Sequence, residues 1–572
     1  RKFGLKKKTC RFSGPSSRCQ MMLFRMTGHH YNDDVYFEEP FTSDERSVLE
    51  RFFTNTDGPV FGLVNLPEVV KGALFARYSR SHKSLRRLFL DEFHDEPELG
   101  IAAVSNAIAN DDPNVRLSKA EGLYDRVFGE YGDDSVAQLG GAHLACEQAS
   151  NLLTKVLEWG RIAAYLEQST RYIYYDRPLG ESYRYHVPPE MQGSALEAEY
   201  RSTMDSLFDL YSSLVHELAP HFEAQFPRTE DTSRRAYNAT IRAKACDAAR
   251  GLLPAATTSN VGVYGTGQAY EALLIRMQAH PLEEARDYGD MMLSELRQVI
   301  PSFVKRVDLP DRGGAWSNYF SDTAQRMNEI VASLDIERSE GPEVTLVDWD
   351  PDAEIKVAAS ALYAYSDLSD AQLLEAARKM GAENRADVIR AYSGDRINRR
   401  HKPGRGMERT DYRFDVKCDF GSFRDLQRHR MLTLEWQRLG TSHGYTTPDV
   451  VSEIGRKSEW DAGMERASGL HNKLNDQFGP DVAQYVVPFG YRIRFVMQMN
   501  AREAFHLLEL RTARAGHPDY RRVCQEMHRL IREQAGHRAI ADAMKYVDYG
   551  EYELERIDAE RRSDERSSNR GS

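Results

Sequence analysis

No apolar run in the 572-residue chain approaches the roughly 20 residues that a membrane helix needs, which excludes a helical span. The six cysteines, Cys10, Cys19, Cys146, Cys246, Cys418 and Cys524, form no CxxC pair. The sequence therefore offers neither a zinc ribbon nor a disulfide framework, no metal site is expected, and a reducing compartment is. It has no GxGxxG after a strand, no P-loop and no HExxH, so a dinucleotide Rossmann site, a P-loop NTPase and a zincin are unsupported. Spacing does not place a Ser or Cys nucleophile beside a His. Excess positive charge is missing too: a formal net charge of −11 and a pI near 5.9 argue against wholesale binding of nucleic acid, while leaving room for a local basic site.

What is present is an ordinary globular composition, 41% hydrophobic and 28% charged, on a chain long enough for two or three domains. Residues 1–33 form a basic leader whose first 26 residues contain no Asp or Glu, the composition of an organellar transit peptide or of a disordered tail. The expected location is cytoplasmic, or an organellar matrix if the leader is a transit peptide. Residues 34–336 read as a mostly helical domain, 337–343 as a linker, 344–549 as a second domain opening with the strand "VTLVDWDP", and 550–572 as a disordered charged tail.

A weak internal repeat is the more informative pattern. "EWGRIAAYLEQSTRY", "DAARGLLPAATTSN" and "GQAYEALLIRM" occur in the first half, and "QRHRMLTLEWQRLG", "DVAQYVVPFGYRIR" and "NAREAFHLLELR" in the second. Each half shows an Arg-containing segment, an apolar pair before Pro254 or Pro488, and a helix ending in Arg276 or Arg511.

Arginine suits phosphate because its planar fork donates two parallel charge-assisted hydrogen bonds and stays ionised. Arg428, His429 and Arg430 stand in succession beside Asp425 and Glu435, and "RINRRHKPGRGMERTDYRFD" from Arg396 reads as a basic, glycine-containing loop. A salt-bridged charge run or a nucleic-acid arm would share this composition. Both stretches run into segments that should be buried, and a buried cationic cluster requires an anion. "EQSTRY" offers Glu167, Ser169, Thr170, Arg171 and Tyr172, suited to a sugar phosphate or, equally, to an amphipathic segment with its own ion pair.

"RHRMLT" resembles the start, and "EQSTRY" the end, of the signature RHRxxSxNExSxRY of the flavin-dependent thymidylate synthases, the ThyX family. "HKPGRGMERTDYRF" and "NAREAFHLLELR" are similar to the family's flanking segments. The resemblance implies an α+β fold of two tandem ThyX-like domains, each a mixed sheet with packed helices. It also implies an enzyme that methylates dUMP to dTMP with FAD as cofactor and NADPH and methylenetetrahydrofolate as co-substrates. Glu408, Arg428, His429, Arg430, Asn500, Arg502 and His506 would face the flavin. Glu167, Ser169, Arg171, Arg250 and Arg428 would hold dUMP, and Arg511 would be the catalytic group against the uracil. The first half lacks the Arg-His pair, having "WGR" there, and the second lacks the nucleotide end, having "LEWQRLG", so one composite site is implied. Family members are homotetramers, and a tandem chain would match them as a homodimer. The alternatives are a catalytically inactive scaffold that binds flavin or nucleotide, and a nucleic-acid-associated protein.

Overall fold

The computed structural model describes residues 39–94, apart from 59, 60, 67, 79, 80 and 82, and residues 138–570, apart from 181, 338 and 339. The basic leader lies outside the described residues. Contacts divide the chain into two units. The smaller, residues 1–67 and 74–111, contains the helix Ser43–Leu49, opened by a Thr42/Glu45 capping box, and the rings of Phe52 and Phe53, which lie 5.2 and 5.3 Å from Phe89. The larger unit contains both repeats. Backbone pairing between the halves, described below, holds the two repeats in this one unit.

The first repeat builds a three-stranded antiparallel sheet from β1 (Gly141–Ser150), β2 (Ala164–Glu167) and β3 (Thr258–Thr266), in the order β1-β3-β2. The second builds β4 (Val344–Trp349), β5 (Asp411–Asp419), β6 (Thr433–Trp436) and β7 (Arg492–Asn500), in the order β4-β5-β7-β6. In β7 every second residue, from Ile493 to Met499, is buried, and β5 alternates in the same way, so each strand turns one face to the core.

Helices follow at matching places. α1 (Asn151–Leu157) succeeds β1, and α2 (Glu197–Gln225), α3 (Arg234–Ala249) and α4 (Gly267–Gln278) complete the core of the first repeat. In the second, α5 (Phe420–Leu426), α6 (Lys457–Phe478) and α7 (Ala501–Arg511) take the places of α1, α2 and α4. α2 buries Tyr200, Met204, Leu207, Tyr211, Leu214, Leu218 and Phe222, a stripe at helical spacing that packs on α6 and α3. The starting caps correspond as well. Ser150 and Asp419 accept from the backbone N–H three residues on in α1 and α5, and Thr266 and Asn500 do so in α4 and α7.

The two repeats meet about an approximate two-fold axis at their prolines. Pro254 bridges Pro488, and the flanking bonds come in symmetric pairs. Ala255 donates to Val487 and Phe489 to Leu253, while Ala256 donates to Tyr485 and Gly490 to Gly251, all at 2.8 Å. A Cβ on Gly251 would stand 2.8 Å from the Trp460 ring, so the close approach requires glycine there.

Residues 551–570, expected to be disordered, are ordered instead, and the helix Ile557–Arg570 packs on α3. Its anchors are charged: Arg561 donates to Thr232 and pairs with Asp231 at 3.1 Å, and Arg514 pairs with Asp558. Such long-range polar contacts leave no apolar period in the sequence. Among the described residues no helix is long and apolar enough to cross a membrane.

Candidate functional site

β2 ends at Glu167, and the turn after α5 carries Arg428, so the seam between repeats brings the "EQSTRY" and "RHR" segments together. The Glu167 carboxylate, fully enclosed, accepts 2.7 Å bonds from both Arg424 and Arg428 of the other half and a 3.3 Å bond from Lys155. Burial opposes its ionisation, but Arg424, Lys155 and Arg428 outweigh burial and hold the carboxyl well below the usual range. Arg424 also donates to Thr170 at 3.2 Å and lies over the Phe489 ring at 4.7 Å.

A second carboxylate, Asp425, collects the remaining arginines. Arg511 approaches it at 3.5 Å and Arg250 at 3.6 Å. Against the effect of burial, Arg511, Arg428, Arg171 and Arg250 together hold it well below its ordinary value. Arg171 is gripped in a fork by Asp247 at 2.7 and 2.6 Å and donates to the Tyr520 hydroxyl at 3.0 Å. The Tyr520 ring faces two guanidinium groups, Arg171 at 5.7 Å and Arg511 at 5.6 Å.

Arg511 is oriented through a short relay. Its Nε donates to His429 Nε2 at 3.0 Å, which fixes the histidine proton on Nδ1, facing Glu503 at 3.0 Å. Burial pushes His429 down to about 4, with the Glu503 hydrogen bond opposing and Arg511 adding to the shift, so the ring is neutral near pH 7. His506 contacts the same carboxylate at 3.2 Å. His429, Glu503 and His506 place three ligand atoms within 4.8 Å of one another, a set able to hold a metal ion. Engaging His429 Nδ1 would move its proton to Nε2 and break the Arg511 bond, so a metal and an oriented Arg511 exclude each other.

The remaining sequence candidates are more dispersed. Glu408 pairs with Arg502 at 3.3 Å and with Arg405 at 3.1 Å, away from the Glu167 and Asp425 bonds. Asn500 is used as the cap of α7, and the Ser169 hydroxyl accepts from the Arg171 backbone N–H at 3.2 Å. Arg430 lines a pocket of about 200 Å³ with Gln427, His429, Trp159, Arg161 and Arg276. A larger cavity of about 400 Å³ lies against Arg250, Asp247, Asp419, His517 and Asp519. There burial and the neighbouring Asp419 push Asp519 up to about 7.

Matching the caps Ser150 and Asp419 sets Trp159, Gly160 and Arg161 against Arg428, His429 and Arg430, and Glu167 and Arg171 against Trp436 and Gly440. The loss of a side chain at Gly160 has a steric reason: a Cβ there would lie 2.5 Å from the Tyr165 hydroxyl. The cap match also sets Arg276 against Leu510 rather than Arg511, so the two helix-ending arginines of the repeat are not equivalent. Arg276 instead stacks on Trp159 at 4.8 Å. Lys155, Asp247, Glu503 and Tyr520 belong to the site but to neither motif. Three of these left a signal in the repeat: Lys155 stands opposite Arg424, Asp247 opposite Asp481, and Glu503 lies within "NAREAFHLLELR".

The chain belongs to the family described as thymidylate synthase complementing protein, which matches it twice, at residues 90–302 and 345–536. It is 40% identical over 532 residues to a UPF0159 protein of Chlamydia pneumoniae, covering 92% of this chain and 99% of that one. A UPF0159 protein of Thermoplasma acidophilum is 30% identical over 516 residues, covering 86% and 97%. A flavin-dependent thymidylate synthase of Geobacter sulfurreducens is 24% identical over 199 residues, covering 33% of this chain and 82% of that protein.

Proposed function

We propose that the chain is a flavin-dependent enzyme of the thymidylate synthase type, methylating dUMP at one site built from both halves. The observation that carries this reading is the Glu167 carboxylate of the first half, bonded by Arg424 and Arg428 of the second. The nucleotide end comes from Glu167, Ser169, Arg171 and Arg250, and the opposite end from Arg428 and Arg511.

The 200 Å³ pocket suits a flavin in its donor set. Arg430, Arg161 and Arg276 surround it, Trp159 supplies a planar wall, and the buried Gln427 Oε1 has no partner among the described residues. Glu408, Asn500, Arg502 and His506, which do not line this pocket, would be the further flavin contacts that the family resemblance implies. Bound there, FAD would supply hydride chemistry, with NADPH as reductant and methylenetetrahydrofolate as one-carbon donor. The chain's own residues would bind and polarise the nucleotide. Arg171 and Arg250 would take its phosphate, and Arg511, held by His429 and Asp425, would stabilise negative charge developing on the pyrimidine. No enzyme nucleophile is needed, consistent with Cys146, Cys246, Cys418 and Cys524 all being buried. Two copies of the chain would reproduce a four-domain assembly.

One observation favours a second reading, a ligand-binding protein without turnover: Asp425 already occupies the centre of Arg171, Arg250, Arg428 and Arg511. A nucleic-acid role for the loop after Arg396 is weakened by Arg396 itself, which is buried against Glu509 at 2.7 Å. The test is to load the purified chain with FAD, desalt it, and assay dTMP formation from dUMP, methylenetetrahydrofolate and NADPH. Turnover is expected, with Arg511→Ala lowering kcat about 100-fold or more while flavin is retained. Retained flavin and nucleotide without turnover would select the second reading, and a folded chain that retains no flavin would overturn the first.

A further inference from the structure

The ordered C-terminal strap delivers an arginine to the nucleotide-side motif that no repeat pattern points to. Its course is fixed from both halves. Arg521 donates to the Gly550 carbonyl at 2.8 Å and Arg514 to that of Leu554 at 3.4 Å, both from the second half. Lys244 of α3 pairs with Glu555 at 3.2 Å. Between these anchors and the helix Ile557–Arg570 stands Arg556, 8% exposed, its guanidinium 4.0 Å above the ring of Tyr172, the last residue of "EQSTRY".

Among the described residues no acid pairs with Arg556, in contrast to its neighbours. Arg171 has Asp247, Arg424 and Arg428 share Glu167, and Arg250 and Arg511 share Asp425. The Nε and Nη1 groups of Arg556 are buried with no hydrogen-bond partner among the described residues. Burial and the charge of Arg171 push its pKa down to about 10, with only Glu560 opposing. A buried guanidinium with two unsatisfied donors is costly, and natural structures keep such a group where an anion completes it. The vacant donors sit beside Arg171 and Tyr172, and a guanidinium fork matches two oxygens of one phosphate.

We infer that Arg556, carried by the C-terminal strap, is a phosphate-binding residue that completes, with Arg171, a site for a phosphomonoester. The inference rests on the nucleotide reading of this site, and it adds a residue from outside both repeats. The strap thereby ties phosphate binding to the docking of the chain's last segment.

The test is calorimetric titration of the full chain and of Arg556→Gln with dUMP, deoxyuridine and inorganic phosphate. The expected result is that Arg556→Gln weakens dUMP and inorganic phosphate by about ten-fold or more, leaves deoxyuridine unchanged, and does not lower the thermal midpoint. A purely structural role over Tyr172 would instead lower the midpoint and leave the preference for dUMP over deoxyuridine intact. Equal dUMP affinity in the two proteins would overturn the inference and leave the proposed function standing. Phosphate binding through Arg556 without dUMP binding would keep the inference and remove dUMP as the substrate. Binding of neither ligand by the wild-type chain would overturn both. If Arg556→Gln does not fold, Arg556→Lys carries the test: it keeps the charge and loses the fork, so a several-fold loss of phosphate affinity is expected and an unchanged affinity would overturn the inference.

Discussion

Glu167 is the residue on which the two halves depend. Its side chain is fully buried, and replacing it by Gln leaves Lys155, Arg424 and Arg428 facing one another without an anion. Glu167→Gln is expected to cost about 3–5 kcal/mol, read as a lowered urea midpoint at pH 7. The pH dependence has a definite sign. The folded-state pKa lies below the unfolded value, so the stabilisation is complete above the ordinary Glu range and is lost as pH falls through and below it. The wild-type chain should therefore lose stability steeply on acidification, and Glu167→Gln less so; parallel curves would show that this ion cluster contributes nothing. The site was partly legible from the residues themselves. "RHR" and "EQSTRY" are compact runs whose chemistry shows in one dimension, whereas Asp247, Tyr520 and Arg556 reach Arg171 or Tyr172 only through the fold. Asp425 was visible beside Arg428, but its position among four arginines was not.

At the scale of elements, the joint between the repeats is the feature that organises the molecule. Outside the joint, "YRFDVKCDF" was readable as a segment that should be buried, and it forms β5. The pairing at the joint was not, because the bridge from Pro254 to Pro488 joins residues with no local relation. The terminal helix was missed for a related reason, being held by Arg514 and Arg561 rather than by a repeating apolar face. The joint makes a comparative prediction. A Cβ at Gly251 meets the rigid, fully buried Trp460 ring at 2.8 Å, while one at Gly490 first meets the flexible end of Met464 at 3.0 Å. Gly251→Ala should cost about 1–3 kcal/mol and Gly490→Ala less, measured by urea unfolding. The reverse order would mean that the backbone contact at Gly490, and not Trp460, limits the approach.

For the whole molecule, duplication has let each half lose what the other keeps. Gly160 stands where His429 would be and Gly440 where Arg171 would be. Gln484 stands opposite Arg250 by the same proline match, so neither repeat retains a full set of arginines. A net charge of −11 is compatible with this arrangement because Glu167, Asp425 and Asp247 offset part of the positive charge that Lys155, Arg171, Arg250, Arg424, Arg428 and Arg511 gather at the seam. Whether two repeats make one site is decided by the stoichiometry of dUMP binding to the FAD-loaded chain, measured alongside Arg171→Ala and Arg428→Ala. One dUMP per chain, lost on either substitution, is the result expected. Two per chain, or binding that survives removal of one of these arginines, would contradict it.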